Sequence, residues 1–193
     1  MIKAVIFDCF GVLMGSGFWS VYQSLGGDPV KHAAFIDDAL NRADGGKISS
    51  EQLRDIMSKH LGVSPDAYAA AYKNDEVPNI KVFDFIRQEL KPHYKIGLLS
   101  NAGSGVVQRR IPPELLGLFD AVVVSGEVGL LKPDPAVFSM VAERLQVAPE
   151  EAVFTDDHAP YLPGATRVGM HTILFKGLDD FKQQFVRLTG SKG

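Results

Sequence analysis

The sequence predicts an α/β fold built on a doubly wound, parallel, five-stranded sheet with an all-helical segment inserted after the first strand. Three observations predict it. Apolar, β-branched runs recur along the chain: AVIF (4–7), YKIGLLSN (94–101), AVVVSGE (121–127), EAVFTDD (151–157) and MHTILFKG (170–177). Such continuous runs suit strands buried on both faces of a parallel sheet. Helical stretches separate them, and that alternation implies right-handed crossovers. Finally, the runs deliver polar groups at their C-terminal ends, the edge where open α/β sheets bind ligands.

The first run leads into Asp8, followed by Cys9, Phe10 and Gly11. From Val12 to about Pro78 no strand pattern appears, and the segment reads as helical throughout. Asp28-Pro29 can open one helix, Ser49-Ser50-Glu51-Gln52 offers a capping box for another, and Ser64-Pro65 opens a third. Gly15, Gly17, Gly45 and Gly46 punctuate them. This places a helical cap over residues 14–77, a lid for the sheet's carboxyl edge, and an α/β core over 1–13 and 78–193. In the core, DPAVFSMVAERL is the best marked helix. Asp134 is its N-cap, Pro135 takes the first helical position, and Phe138, Val141 and Leu145 share one face.

Composition bounds the function. The 193 residues suffice for one well-cored domain with a modest insertion, and 46% are apolar, which excludes a disordered chain. With 20 basic and 23 acidic residues, the net charge of −3 argues against nucleic acid or an anionic membrane as partner. No stretch approaches the ~18 apolar residues of a membrane span. The single cysteine, Cys9, excludes an internal disulfide framework and suits a reducing compartment. The N-terminal MIKAVIFD has no signal-peptide pattern, so a cytoplasmic protein is expected.

The polar groups at the strand ends form a coherent constellation: Asp8, then Ser100-Asn101, then Ser125 with Lys132, then Asp156-Asp157, with Lys176 closing the fifth run. Two or three carboxylates can hold Mg2+, while a serine, backbone amides and a lysine can hold a phosphoryl group. Each has a bland reading too. An aspartate at a strand end is commonly a turn former, and a loop lysine is usually solvated. Two adjacent carboxylates, however, repel unless a cation or solvent screens them. Cys9 points to the opposite strand face from Asp8 and reads as a small core residue. His158, after the acidic pair, and Trp19, at the start of the helical segment beside Phe18, are candidate substrate contacts. GGKIS near residue 45 lacks the glycine spacing of a phosphate loop.

FDCFGVL, LLSNA, GLLKPDP and VFTDDHAPYLPGA together resemble, in order and spacing, the four motifs of the haloacid dehalogenase-like hydrolases, whose core is Rossmann-like. The resemblance implies a nucleophilic Asp8 that forms a covalent intermediate, with Lys132 offsetting negative charge and Ser100 and Asn101 cradling the transferred group. It also implies a magnesium site formed by Asp8, the backbone carbonyl of Phe10, Asp157 as the direct carboxylate and Asp156.

Two positions depart from the family pattern. Most phosphatases of the family place an aspartate at position 10 as general acid and base; here it is Phe10. Tyr161 stands where many relatives have asparagine. Three functions follow. The leading expectation is a magnesium-dependent phosphatase of a small phosphorylated metabolite. It would need a good leaving group, a proton from elsewhere (His158 is nearest in sequence) or slow turnover. The second is a 2-haloacid dehalogenase, which releases halide without a proton or metal. The third is a weakly catalytic binding or regulatory protein. Phe10 favours the dehalogenase, and the acidic pair favours the phosphatase.

Overall fold

The computed structural model describes residues 1–15, 17–72 and 77–190; residues 16 and 73–76 of the expected 14–77 segment lie outside the described residues. The chain begins with β1 (Ala4–Phe7), then runs through α1 (Phe18–Ser24), α2 (Ala33–Asp44), α3 (Ser50–Leu61) and α4 (Pro65–Tyr72). Next come α5 (Ile80–Phe85, extended by a π-helical turn Ile86–Leu90), β2 (Lys95–Ser100), α6 (Val106–Arg110), α7 (Pro113–Leu116) and β3 (Ala121–Val124). The remainder is α8 (Ser125–Val128), α9 (Pro135–Leu145), β4 (Ala152–Asp156), α10 (Leu162–Arg167), β5 (His171–Leu174) and α11 (Leu178–Thr189).

All five strands are parallel, in the order β3-β2-β1-β4-β5. β1 is central because all four of its side chains are fully buried. It pairs with β2 from Ala4↔Lys95 to Phe7↔Leu98 and with β4 from Ala4↔Ala152 to Phe7↔Thr155. The chain builds outward from β1 to β3, then returns to the other side of β1, so the strand order reverses between β1 and β4. That switch opens a crevice at the carboxyl ends of both strands.

The strand period of two sorts the core. Val5, Phe7 and Cys9 face a layer that includes Phe83, Ile86, Phe181 and Phe185. Ala4 and Ile6 face Val137, Phe138, Val141, Leu145 and Phe154. Cys9 is thus buried in apolar packing on the face opposite Asp8, as its parity requires, and burial foremost pushes its thiol pKa well up. A third cluster, around Tyr22, Ile36, Ala39, Met57 and Tyr68, is confined to α1–α4.

Local signals explain three of the helix starts. Asp134 accepts from the Ala136 amide and caps α9. Ser49 and Gln52 form the reciprocal box that opens α3, and Ser64 accepts from the Ala67 amide to open α4. Asp28-Pro29 does not open a helix. The Asp28 carboxylate binds the Val30 and Lys31 amides, both at 3.0 Å, closing a local turn, and α2 starts only at Ala33. The third strand covers the apolar residues of its run, Ala121–Val124, and the chain turns helical at Ser125. Among the described residues, no helix is long and apolar enough to cross a membrane.

Candidate active site

The switch between β1 and β4 brings together carboxylates far apart in sequence. Asp8 follows β1 directly and Asp156 is the last residue of β4. Between them lies the Lys132 ammonium, 2.6 Å from Asp8 Oδ1 and 2.6 Å from Asp156 Oδ2. All three side chains are buried. Burial drives the Asp8 carboxyl up to about 7; Lys132 opposes that rise and Asp156 adds to it. Burial likewise disfavours the Lys132 ammonium, but the two carboxylates outweigh it and hold its pKa above the ordinary value.

Lys132 is positioned by its backbone and covered by two rings. The Asn101 side chain accepts from the Lys132 amide at 2.8 Å and donates to its carbonyl at 3.0 Å. Asn101, expected to cradle a ligand, therefore ties the end of β2 to the lysine loop. Tyr161 lies with its ring centroid 4.8 Å from Lys132 Nζ, and Phe154 with its own at 5.5 Å. An aromatic face attracts a desolvated ammonium. Tyr161 thus does a job that the sequence left without an account.

Asp157 is exposed beside the triad, and oxygens of Asp8, Asp156 and Asp157 lie within 4.8 Å of one another. Its carboxyl pKa is raised, by partial desolvation against the site first and by Asp156 second. Gly11 allows its approach: with φ of +91°, a Cβ there would overlap the Asp157 carboxylate. Only glycine meets both demands. The donor set suits a hard cation such as magnesium, since every donor is an oxygen and the clustered negative charge is only partly met by Lys132. The loop bonds around position 10 use the carbonyls of Cys9 and Met14, and none of those among the described residues engages the Phe10 carbonyl.

Other expected residues fare differently. Ser100 Oγ is fully buried without a well-formed hydrogen bond; its neighbour is the weakly polar Cys9 thiol. Ser125 Oγ is already engaged, accepting from the Ala102 amide and donating to the Asp44 carbonyl at 2.6 Å. Lys176 is exposed past the end of β5. His158 is also exposed. Its amide donates to Asp156 Oδ1 at 2.8 Å, and its ring sits 4.5 Å from that of Tyr161.

Beside the triad lies a cleft of about 540 Å³ between the sheet edge and α1–α4. Phe10, Asn101 and Asp157 line it from the sheet, and Trp19 from α1, whereas His158 is not among its lining residues. Sequence reasoning missed other polar residues of the wall, among them Asp44, Arg54, Tyr68, Tyr72 and Arg110. These come from four helices, α2, α3, α4 and α6, so no contiguous motif announces them. The one available signal was Asp44 at the Gly45-Gly46 turn, beside the fragment set aside as a false phosphate loop.

Similarity to known proteins agrees with this geometry. Residues 51–169 match the family of haloacid dehalogenase-like hydrolases. D-ribitol-5-phosphate phosphatase of Bacteroides thetaiotaomicron is 24% identical across 99% of this chain and 100% of its own length. Glyceraldehyde 3-phosphate phosphatase of Methanopyrus kandleri is 31% identical across 62% of this chain and 56% of its own length. Of three longer curated relatives, the chain spans only 14% of the length. A family enzyme from Bacteroides thetaiotaomicron, crystallised with magnesium and inorganic phosphate, superposes with a TM-score of 0.74 at 24% identity, covering 96% of this chain and 100% of that one. From the ordered motifs, the parallel sheet and the family match together, the chain belongs to the haloacid dehalogenase-like hydrolases.

Proposed function

We propose that this hydrolase is a magnesium-dependent phosphatase of a small phosphorylated metabolite, acting through a phosphorylated Asp8. The observation that carries the reading is the buried Asp8–Lys132–Asp156 triad with Asp157 beside it. A dehalogenase has no use for so many carboxylates at one point, because nothing in its reaction needs a cation. Two phosphatases among the relatives support the choice by their names.

Asp8, Asp157, Asp156 and the Phe10 carbonyl would hold the magnesium ion, which supplies positive charge to offset that of a phosphate ester beside carboxylates. The chain's own groups do the rest. Asp8 attacks phosphorus with one carboxylate oxygen, displacing the ester oxygen and forming an acyl phosphate. Lys132, fixed by Asn101, favours the ionised form of Asp8 and aims it. Ser100, at the end of β2 with its buried hydroxyl lacking a good partner, is the proposed donor to a phosphoryl oxygen. Residues 14–77 act as the cap that closes over the substrate and shields the acyl phosphate from bulk water.

The decisive variant is Asp8→Asn, nearly isosteric but a poor nucleophile. Phosphate release should fall to below a few per cent of wild type, with the circular dichroism spectrum unchanged. Retention of substantial turnover, with deamidation excluded by mass spectrometry, removes Asp8 from the role.

A further inference from the structure

Phe10 leaves a phosphatase site without the carboxyl group that ordinarily moves the proton of the leaving alcohol. Phenylalanine has no ionisable hydrogen, and general acid–base assistance is worth about 10²–10⁴-fold in rate. His158, the sequence's nearest substitute, is turned to Tyr161 and does not line the cleft. The remaining candidates are the acids that the helical segment brings to that wall.

There are two among the described residues, Glu51 and Asp44. Glu51 is exposed at the start of α3, where bonds from Ser49 and from its own backbone lower its pKa, so it stays ionised. Asp44 is different. It closes α2 at the point where that helix meets the sheet edge, and its carbonyl accepts from Ser125 Oγ at 2.6 Å. Two residues on, Gly46 lies against the Gly126 carbonyl, which a Cβ would approach to 2.9 Å. These contacts pin the Asp44 backbone to the rim that carries Lys132. Its carboxyl group is half-buried and engaged in no hydrogen bond among the described residues.

We propose that Asp44 is the general acid and base of this site, supplied from the helical segment in place of the missing carboxyl at position 10. The assignment rests on the phosphatase reading above. In the first step the bond between phosphorus and the ester oxygen breaks as Asp8 bonds to phosphorus. Asp44 gives its proton to the departing alkoxide, releasing the alcohol and becoming a carboxylate. In the second step Asp44 takes one proton from a water whose oxygen attacks the phosphorus of phospho-Asp8. That step releases hydrogen phosphate and restores both the Asp8 carboxylate and the Asp44 acid.

The electrostatics suit the task. Burial raises the Asp44 carboxyl to about 6, and Lys132 limits that rise. An acid so placed is still partly protonated near neutrality and becomes a competent base once it has given up its proton. Besides Lys132, Tyr161 shares its field, and Asp157, Glu51, Arg54 and Arg110 share its cleft. Glu127 of α8, the helix packed on α2, is turned away to Gly105 and Gln108.

The test compares an alkyl phosphate, whose alkoxide must be protonated, with p-nitrophenyl phosphate, whose phenolate leaves unaided. In Asp44→Asn, kcat on the alkyl ester should fall about 100-fold or more and on the aryl ester by far less. In wild type, the alkyl-ester kcat should decline as pH rises through the Asp44 pKa, and that decline should vanish in the variant. Asp44→Glu should recover part of the alkyl-ester rate. Equal losses on both esters, or an unchanged pH profile, overturn the role for Asp44 while leaving the phosphatase reading intact. A wild type that hydrolyses neither ester overturns both.

Discussion

At the scale of single residues, the site is an exercise in placing like charges together. Asp8 and Asp156 share one ammonium at 2.6 Å each, though Lys132 lies 124 and 24 positions from them in sequence. Their residue types and order were legible because each ends a strand, and strand ends are easy to read. Asp44 was barely legible, since the Gly45-Gly46 turn beside it was its one local signal and its importance comes from a tertiary contact to Ser125. Phe10 was read for what it lacks, and the structure gives it a place on the cleft wall. The two residues make one prediction together. Phe10→Asp should change alkyl-ester turnover little while Asp44 is present, yet in an Asp44→Asn background it should raise kcat about 10-fold or more. No gain in the double variant, with the protein folded, means that position 10 no longer reaches the leaving oxygen.

At the scale of elements, the strands and α9 followed their patterns, because buried apolar runs and proline-marked helix starts act locally. The misread start of α2 has a local cause as well: the Asp28 carboxylate satisfies amides of a turn instead of a helix. α11 is the element whose packing says most about stability. Phe181 is fully buried, with its ring centroid 5.6 Å from Phe7, 5.6 Å from Phe185 and 6.0 Å from Phe85. It therefore couples the C-terminal helix to the central strand and to α5. Phe181→Ala should cost about 3–5 kcal/mol of unfolding free energy in a urea titration, through lost transfer energy and the cavity left behind. A loss below about 1 kcal/mol would mean that α11 contributes little to the core.

At the scale of the whole molecule, the strand order places Asp8 and Asp156 on either side of the β1–β4 switch, and the helices between β1 and β2 supply the far wall of the cleft. The fold class was legible because periodicity and topology rules leave few arrangements for five parallel strands. The cleft wall was not, because its side chains come from α1–α4, α6 and several loops, and only folding brings them together. The central claim is that clustered carboxylates serve a cation and a phosphate ester, and one assay tests it most directly. Phosphate and halide release are measured side by side on phosphorylated metabolites and 2-haloacids, with chelator and with added magnesium. The account predicts phosphate release that disappears in chelator and returns with magnesium, and no halide release. Halide release at equal rates with and without magnesium, in the absence of any phosphatase activity, would contradict it.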